Sequence, residues 1–252
     1  MNILIVHAHP EPQSFNGAMK DLAVTTLTNA GHRVVVSDLY QEGFAATADA
    51  HDFTQRADPT LLNIGAEQAH AAQTGTFAPQ VQREIDRLFA ADLVILQFPM
   101  WWFSVPAILK GWIDRVFAFG VTYDFGRTWD QGVMRGRRAM LSFTTGAPPG
   151  VFEKDGRSGD LERVLWPIHG GVLALCGFEV LPPFVAWAVP WIENAGRAAM
   201  LDAWQQRLLH LDTDTPLFFH SLDDFDERGR LKPAIEPGTP AQHRNNRLHL
   251  PE

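Results

Sequence analysis

The chain has 252 residues, 46% hydrophobic and 20% charged, with one cysteine and a formal net charge of −8. That length allows one large α/β domain or a core with an appendix, and the composition is that of a folded protein. The acidic balance argues against a sequence-independent grip on nucleic acid, which needs surplus cations facing the phosphates.

Asn2 to Val6 (NILIV) reads as a buried strand directly after Met1. With a strand so early, no cleaved signal is expected. No run approaches the roughly 18 apolar residues of a membrane span, so no membrane span is expected and the expected location is cytoplasmic. The strand leads into His7-Ala-His9-Pro10-Glu11-Pro12-Gln13-Ser14-Phe15-Asn16, a polar loop that opens a helix from Phe15 to Ala30, ending at Gly31. No G-x-G-x-x-G occurs here. Ser14 is either a plain N-cap or part of an anion site in which the amides of Phe15, Asn16 and Gly17 face a phosphate along the helix dipole. His9 reads better as facing a phosphate than as half of a His7-x-His9 metal pair. No carboxylate or cysteine completes an obvious ligand set.

Arg33 to Ser37 is a second strand, followed by an irregular stretch from Tyr40 to about Ala78 with one helix around Ala66 to Ala72. Gln80 to Ala90 has helical spacing and leads into a third strand, Asp92 to Gln97. That run stops at Phe98-Pro99, and Trp101, Trp102 and Phe103 then crowd one short turn. Val105, Ile108, Leu109, Trp112, Ile113 and Val116 recur at helical spacing, with Pro106 in the first turn. Large flat side chains in a strand-to-helix loop suggest a planar, polycyclic ligand, because ligands bind over the carboxyl ends of such strands.

The run Arg135-Gly-Arg137-Arg138 reads as a solvated turn before a fourth strand, Arg138 to Phe143. Ser142-Phe143-Thr144-Thr145-Gly146-Ala147-Pro148-Pro149-Gly150 ends it, with small residues that let backbone approach a flat ligand. A helix from about Gly159 to Leu175, a fifth strand from Phe178 to Val185 and a helix from about Asn194 to Leu211 complete the pattern. Cys176 fits a buried core thiol. The alternation implies a doubly wound, five-stranded parallel sheet in the order 2-1-3-4-5, in which the loops after the first, third and fourth strands converge. The expected division is a domain over 1–218 and a polar, Pro-rich extension over 219–252, packed on the domain or on a partner.

The segments AHPEPQSFNGAMK, SDLY, AADLVILQFPMWWFSVPAILKGWIDRVF, LSFTTGA, VLWPI, CGFEVL and TPLFF resemble the NAD(P)H:quinone oxidoreductases of the DT-diaphorase type, which have a flavodoxin-like fold. The resemblance runs from residue 3 to about 220. It implies FAD across the first, third and fourth loops and active sites between two subunits of a homodimer. By position, it implies that His9, Ser14, Phe15 and Asn16 hold the phosphates and adenylate. Asn63 and Arg197 become further FAD contacts. Met100, Trp101, Trp102 and Phe103 would flank the isoalloxazine, and Thr144, Thr145, Gly146 and Ala147 would bond its polar edge. Trp102, Phe103, Tyr123 and Phe125 would line the quinone pocket, the latter two reached from the other subunit.

Departures accompany it. Phe152 and Ser158 stand where relatives of the mammalian type have a tyrosine and a histidine near the flavin, and Phe125 replaces a pocket tyrosine. His169 falls one position from the place that one branch of the family uses for a metal, so no metal is expected. The implied chemistry is ping-pong hydride transfer from NADH or NADPH to flavin and then to a quinone, with amides around Gly146 and Ala147 stabilising charge. An FMN-dependent azo or nitro reductase is the enzyme alternative, although the length beyond the fifth strand favours FAD. A flavodoxin-like electron carrier or transporter-regulatory subunit is the non-enzyme alternative.

Overall fold

Apolar runs build the sheet. In the computed structural model, which describes residues 1–239 and 242, β1 (Asn2–His7), β2 (Arg33–Asp38), β3 (Leu93–Pro99) and β4 (Arg138–Thr144) pair in parallel. Their order is β2-β1-β3-β4, and every residue of β3 is buried. A strand covered on both faces has no polar side to alternate with, hence the continuous Leu93-Val-Ile-Leu96.

The fifth strand expected over 178–185 is broken. β5 (Glu179–Val180) and β6 (Phe184–Ala186) both pair in parallel with the outer edge of β4. Ala139 faces Val180 and Ser142 faces Phe184, so Leu181-Pro182-Pro183 spans only Met140 and Leu141. The extra residue is a bulge, and neither proline can donate to a ladder. The sheet is therefore β2-β1-β3-β4-β5 with β6 as a sixth strand, not five continuous ones.

Helices cover both faces. α1 (Phe15–Asn29) and α6 (Asn194–Leu209) pack on one, with Met19, Ala23 and Leu27 meeting Ile3, Ile5, Leu93 and Ile95. Trp204 of α6 is fully buried and donates its indole N–H to the Met19 carbonyl at 3.0 Å. α3 (Pro79–Ala90), α4 (Ala107–Val116) and α5 (Leu161–Ile168) cover the other face, and α2 (Ile64–Thr74) adds Ala71 to the same core. The helix expected to run on to Leu175 is α-helical only to Ile168 and continues as wider π-type turns from His169 to Ala174. Pro167 inside α5 has no N–H to give the preceding turn, which favours the wider winding beyond it.

Beyond α6 the chain returns to the sheet. Leu217 N–H donates to the Val180 carbonyl at 2.7 Å, and Phe219 rests against Trp129 and Trp166. Leu222 N–H donates to Asp130 at 2.8 Å. The expected extension over 219–252 is thus in contact with the domain at its start, while residues 240, 241 and 243–252 lie outside the described residues. No described helix is long and apolar enough to cross a membrane.

Two of the buried histidines, His7 and His169, contribute to the acid behaviour. Burial pushes His169 down to about 4, and mainly burial pushes His7 down to about 4, with Asp38 opposing and Lys20 and His9 adding to the shift. Folded-state values below the ordinary 6.5 mean that the unfolded chain takes up protons first as the pH falls. Stability from this source is full above pH 6.5 and is lost between pH 6.5 and 4, by about 3 kcal/mol for each histidine at most. Denaturant unfolding at pH 7.5, 5.5 and 4.5 should show this decline, and His169→Gln should reduce it by about half, leaving the His7 share. A His169→Gln protein with the parent's slope would contradict the assignment.

Candidate functional site at the carboxyl edge of the sheet

The loop from β1 to α1 is held by local bonds. Ser14 Oγ accepts the Gly17 amide at 3.1 Å as the N-cap, leaving the first-turn amides of Phe15 and Asn16 without an intrahelical partner. Gly17 lies so close to Pro12 that a Cβ there would sit 1.9 Å from the Pro12 carbonyl oxygen. Glycine is what lets the loop fold back on its helix. His9 is half-buried, and its Nδ1 accepts the Glu11 amide at 3.0 Å, so its ring donor is Nε2. His7 is buried and His9 is not. Among the described residues no third metal-ligating side chain joins them.

The loop after β3 is a tight hairpin. Trp101 and Ser104 exchange both backbone hydrogen bonds at 3.1 Å, with Trp102 (φ 49°) and Phe103 (φ 61°) as the two central residues. Two positive φ values in succession define the turn that normally carries Asn-Gly. Holding bulky aromatics in this region costs roughly 1–2 kcal/mol per residue. Strain of this kind is tolerated where the surroundings enforce it, commonly at binding sites. The result is an aromatic tip: Trp102 is 95% exposed, and Trp101 and Phe103 are about half exposed.

The loop after β4 meets both. Asn16 Nδ2 donates to Thr144 Oγ1 at 2.9 Å, and Met100 N–H donates to the Thr144 carbonyl at 2.8 Å. The His9 and Trp101 rings lie 6.4 Å apart, and Phe103 meets Phe152 edge-on at 6.0 Å. Thr144 and Thr145 are buried, whereas Gly146 is exposed. The Ala147 amide is already committed to Thr145 Oγ1 at 3.1 Å, so of the two amides expected to stabilise charge Gly146 offers the freer one. Phe152 is buried between Phe103 and Trp187, and Ser158 donates its amide to the Val151 carbonyl.

The structure therefore brings together His9, Ser14, Phe15, Asn16, Met100, Trp101, Trp102, Phe103, Thr144, Thr145, Gly146, Ala147 and Phe152. Arg197, in the first turn of α6, joins them through Val189, whose carbonyl accepts its guanidinium at 3.3 Å and whose amide donates to the Thr145 carbonyl. Asn63, Tyr123 and Phe125 stand apart within one copy. Asn63 caps α2 through the Ala66 amide. Tyr123 and Phe125 both pack on Phe119, beyond the far end of α4, about 15 Å down that helix from the aromatic hairpin. Burial raises the Tyr123 phenol above its ordinary value, so it remains a neutral donor.

A polar layer beneath these loops was not legible in the sequence. His7, Gln97 and Ser142 occupy one register level across β1, β3 and β4, and Gln97 Nε2 donates to the Asn16 carbonyl at 2.6 Å. The loop from 186 to 191, with Trp187 and Trp191, was also missed. Its signal was the Trp-Ala-Val-Pro-Trp run directly after the last strand. The residues fit the cofactor that the resemblance implies. Asn16 Oδ1 and Arg197 Nε are buried without a partner, one at the helix N-terminus and the other beside the β4 loop. Buried polar atoms of this kind ordinarily have one.

The chain matches the family model described as flavodoxin-like fold over residues 1–208. It is 41% identical over 216 residues to mouse ribosyldihydronicotinamide dehydrogenase [quinone], covering 85% of this chain and 94% of that protein. Guinea-pig NAD(P)H dehydrogenase [quinone] 1 is 37% identical over 248 residues, with 98% and 90% covered. A solved structure of a candidate quinone reductase from Klebsiella pneumoniae superposes with a TM-score of 0.90 at 36% identity, covering 95% of this chain and 96% of that one.

Proposed function

The chain belongs to the flavodoxin-like family of quinone-reducing NAD(P)H dehydrogenases, and from that premise we propose that it works as an FAD-dependent homodimer with a ping-pong cycle. The observation that carries the reading is the joining of three loops at one sheet edge, by the Asn16–Thr144 and Met100–Thr144 bonds, under an aromatic hairpin. Bound FAD would supply the two-electron chemistry that no side chain here offers.

The rest is done by the chain. His9 Nε2 and the first-turn amides of α1 hold phosphate oxygens, aided by the helix dipole. Ser14 acts through its cap, fixing those amides. Asn16 and Arg197 have buried polar atoms to spend on the nucleotide. Arg197 lies beyond the flavin loop, which supports FAD over FMN. Met100, Trp101, Trp102 and Phe103 flank the ring system, and Thr144, Thr145, Gly146 and Ala147 present backbone to its polar edge. NADH or NADPH and then the quinone occupy one apolar slot in turn, with water excluded by the aromatic rings. Phe152 cannot handle a proton, so charge is stabilised by backbone, chiefly the Gly146 amide.

A second copy completes the slot. Phe125 is 90% exposed and stands apart from the aromatic hairpin of its own copy, which leaves its ring available to another copy. Tyr123 and Phe125 would reach the partner's site across that interface, with Asn63 kept as a polar FAD contact.

Gly146→Glu tests the placement. A Cβ at Gly146 meets only Pro190 Cγ at 4.0 Å, so the variant should fold. Its carboxylate should then abolish flavin retention and quinone-dependent NAD(P)H consumption. A folded variant with full flavin content would refute the site.

A further inference from the structure

We propose that Trp191 is a specificity-determining residue, an indole wall that makes the acceptor slot select fused-ring over single-ring quinones; this rests on the quinone-reductase reading above. Trp191 is 79% exposed, yet its ring is anchored. Its indole N–H donates to the Gly146 carbonyl at 2.9 Å. The same peptide is held at its other end, where the Ala147 amide bonds Thr145 Oγ1 at 3.1 Å. The backbone around Trp191 is tied to the β4 loop as well: Ala188 N–H donates to the Ala147 carbonyl and Val189 N–H to the Thr145 carbonyl, both at 3.1 Å. Ala188 takes a left-handed φ of 52° to make this turn. One bond thus fixes both a large exposed ring and the loop expected to meet the flavin.

Two consequences follow from chemistry. A side chain already held in one rotamer loses little freedom when a flat ligand lies on it, so the contact is preorganised. The only polar atom of indole is turned inward, which leaves an apolar face. Such a wall discriminates by ring area and not by hydrogen bonding. The segment that carries Trp191 is also tied to the aromatic hairpin through buried Phe152, whose ring lies 6.0 Å from Phe103 and 5.8 Å from Trp187. A fused-ring acceptor has area to reach this side of the loop, whereas a single ring has less.

The test compares 1,4-naphthoquinone with 1,4-benzoquinone in the wild type, Trp191→Phe and Trp191→Ala, with flavin content measured in each. Trp191→Ala should lower the naphthoquinone-to-benzoquinone ratio of kcat/KM by about tenfold, mainly through KM for naphthoquinone. Trp191→Phe keeps a ring but not its anchor and should recover part of that loss. An unchanged ratio in a flavin-loaded Trp191→Ala protein would overturn the proposal. Binding of anthracene-2-sulfonate, which is redox-inert, should weaken about fivefold in Trp191→Ala. Equal binding would count against Trp191 even if the wild type reduced no quinone, an outcome that would separately sink the quinone-reductase reading.

Discussion

Trp102→Asn is expected to make the protein more stable and a much poorer enzyme. Trp102 is the first central residue of a two-residue turn and has φ 49°, a region that asparagine tolerates and a bulky side chain does not. At 95% exposure its ring has almost no intramolecular packing to lose. Relief of roughly 1–2 kcal/mol of backbone strain, at about 2–4 °C per kcal/mol for a chain of this size, should raise the melting temperature of the flavin-free protein by roughly 2–8 °C. Activity should move the other way. Burying an aromatic ring against a flat ligand is worth about 1.5–3 kcal/mol, so quinone reduction should fall by roughly tenfold or more in kcat/KM. Thermal unfolding and steady-state kinetics on the same preparation check both halves. A lower melting temperature would mean the turn is not strained, and undiminished activity would remove Trp102 from the slot.

Asp52→Ala should be the most destabilising single change considered. Asp52 and Arg115 are both buried, with Arg115 Nη2 2.8 Å and Nε 2.9 Å from Asp52 Oδ1. Arg115 also donates to the Ala45 carbonyl and to Gln80, and its guanidinium lies 4.7 Å over the Phe44 ring. One arginine from α4 therefore organises the start of the long segment between β2 and α2. Removing its counter-ion leaves a buried charge uncompensated, which costs about 3–5 kcal/mol. The melting temperature should fall by roughly 6–20 °C. The double variant Asp52→Leu/Arg115→Met, which removes both charges, should recover much of that loss. A fall of under about 2 °C in Asp52→Ala would show that the pair contributes little.

Strand positions were readable because buried parallel strands leave apolar runs, as at Asn2 to Val6 and Asp92 to Gln97, and the sheet order followed from their alternation with helices. The broken last strand was hidden because Phe178 to Val185 is apolar except at Glu179. Only the Pro182-Pro183 pair hinted at the bulge. The loop residues at the carboxyl edge were legible as a set, and Asn16 and Thr144 are in direct contact. The geometry of the aromatic hairpin was not legible, since Trp-Phe is the opposite of what such a turn prefers. Asn63, Tyr123 and Phe125 came only through resemblance. Within one copy no short-range signal could join them to a site a helix length away. Trp191 escaped because its role depends on one hydrogen bond to a backbone carbonyl distant in sequence.

The most direct test of the central claim is an anaerobic titration of the purified protein with NADH or NADPH, followed by a quinone, read by visible absorption. A flavin spectrum that bleaches fully with a stoichiometric amount of reduced nicotinamide and returns on adding quinone is the predicted result. A flavin that neither nicotinamide reduces, or a protein that holds no flavin after reconstitution with FAD or FMN, would contradict the account.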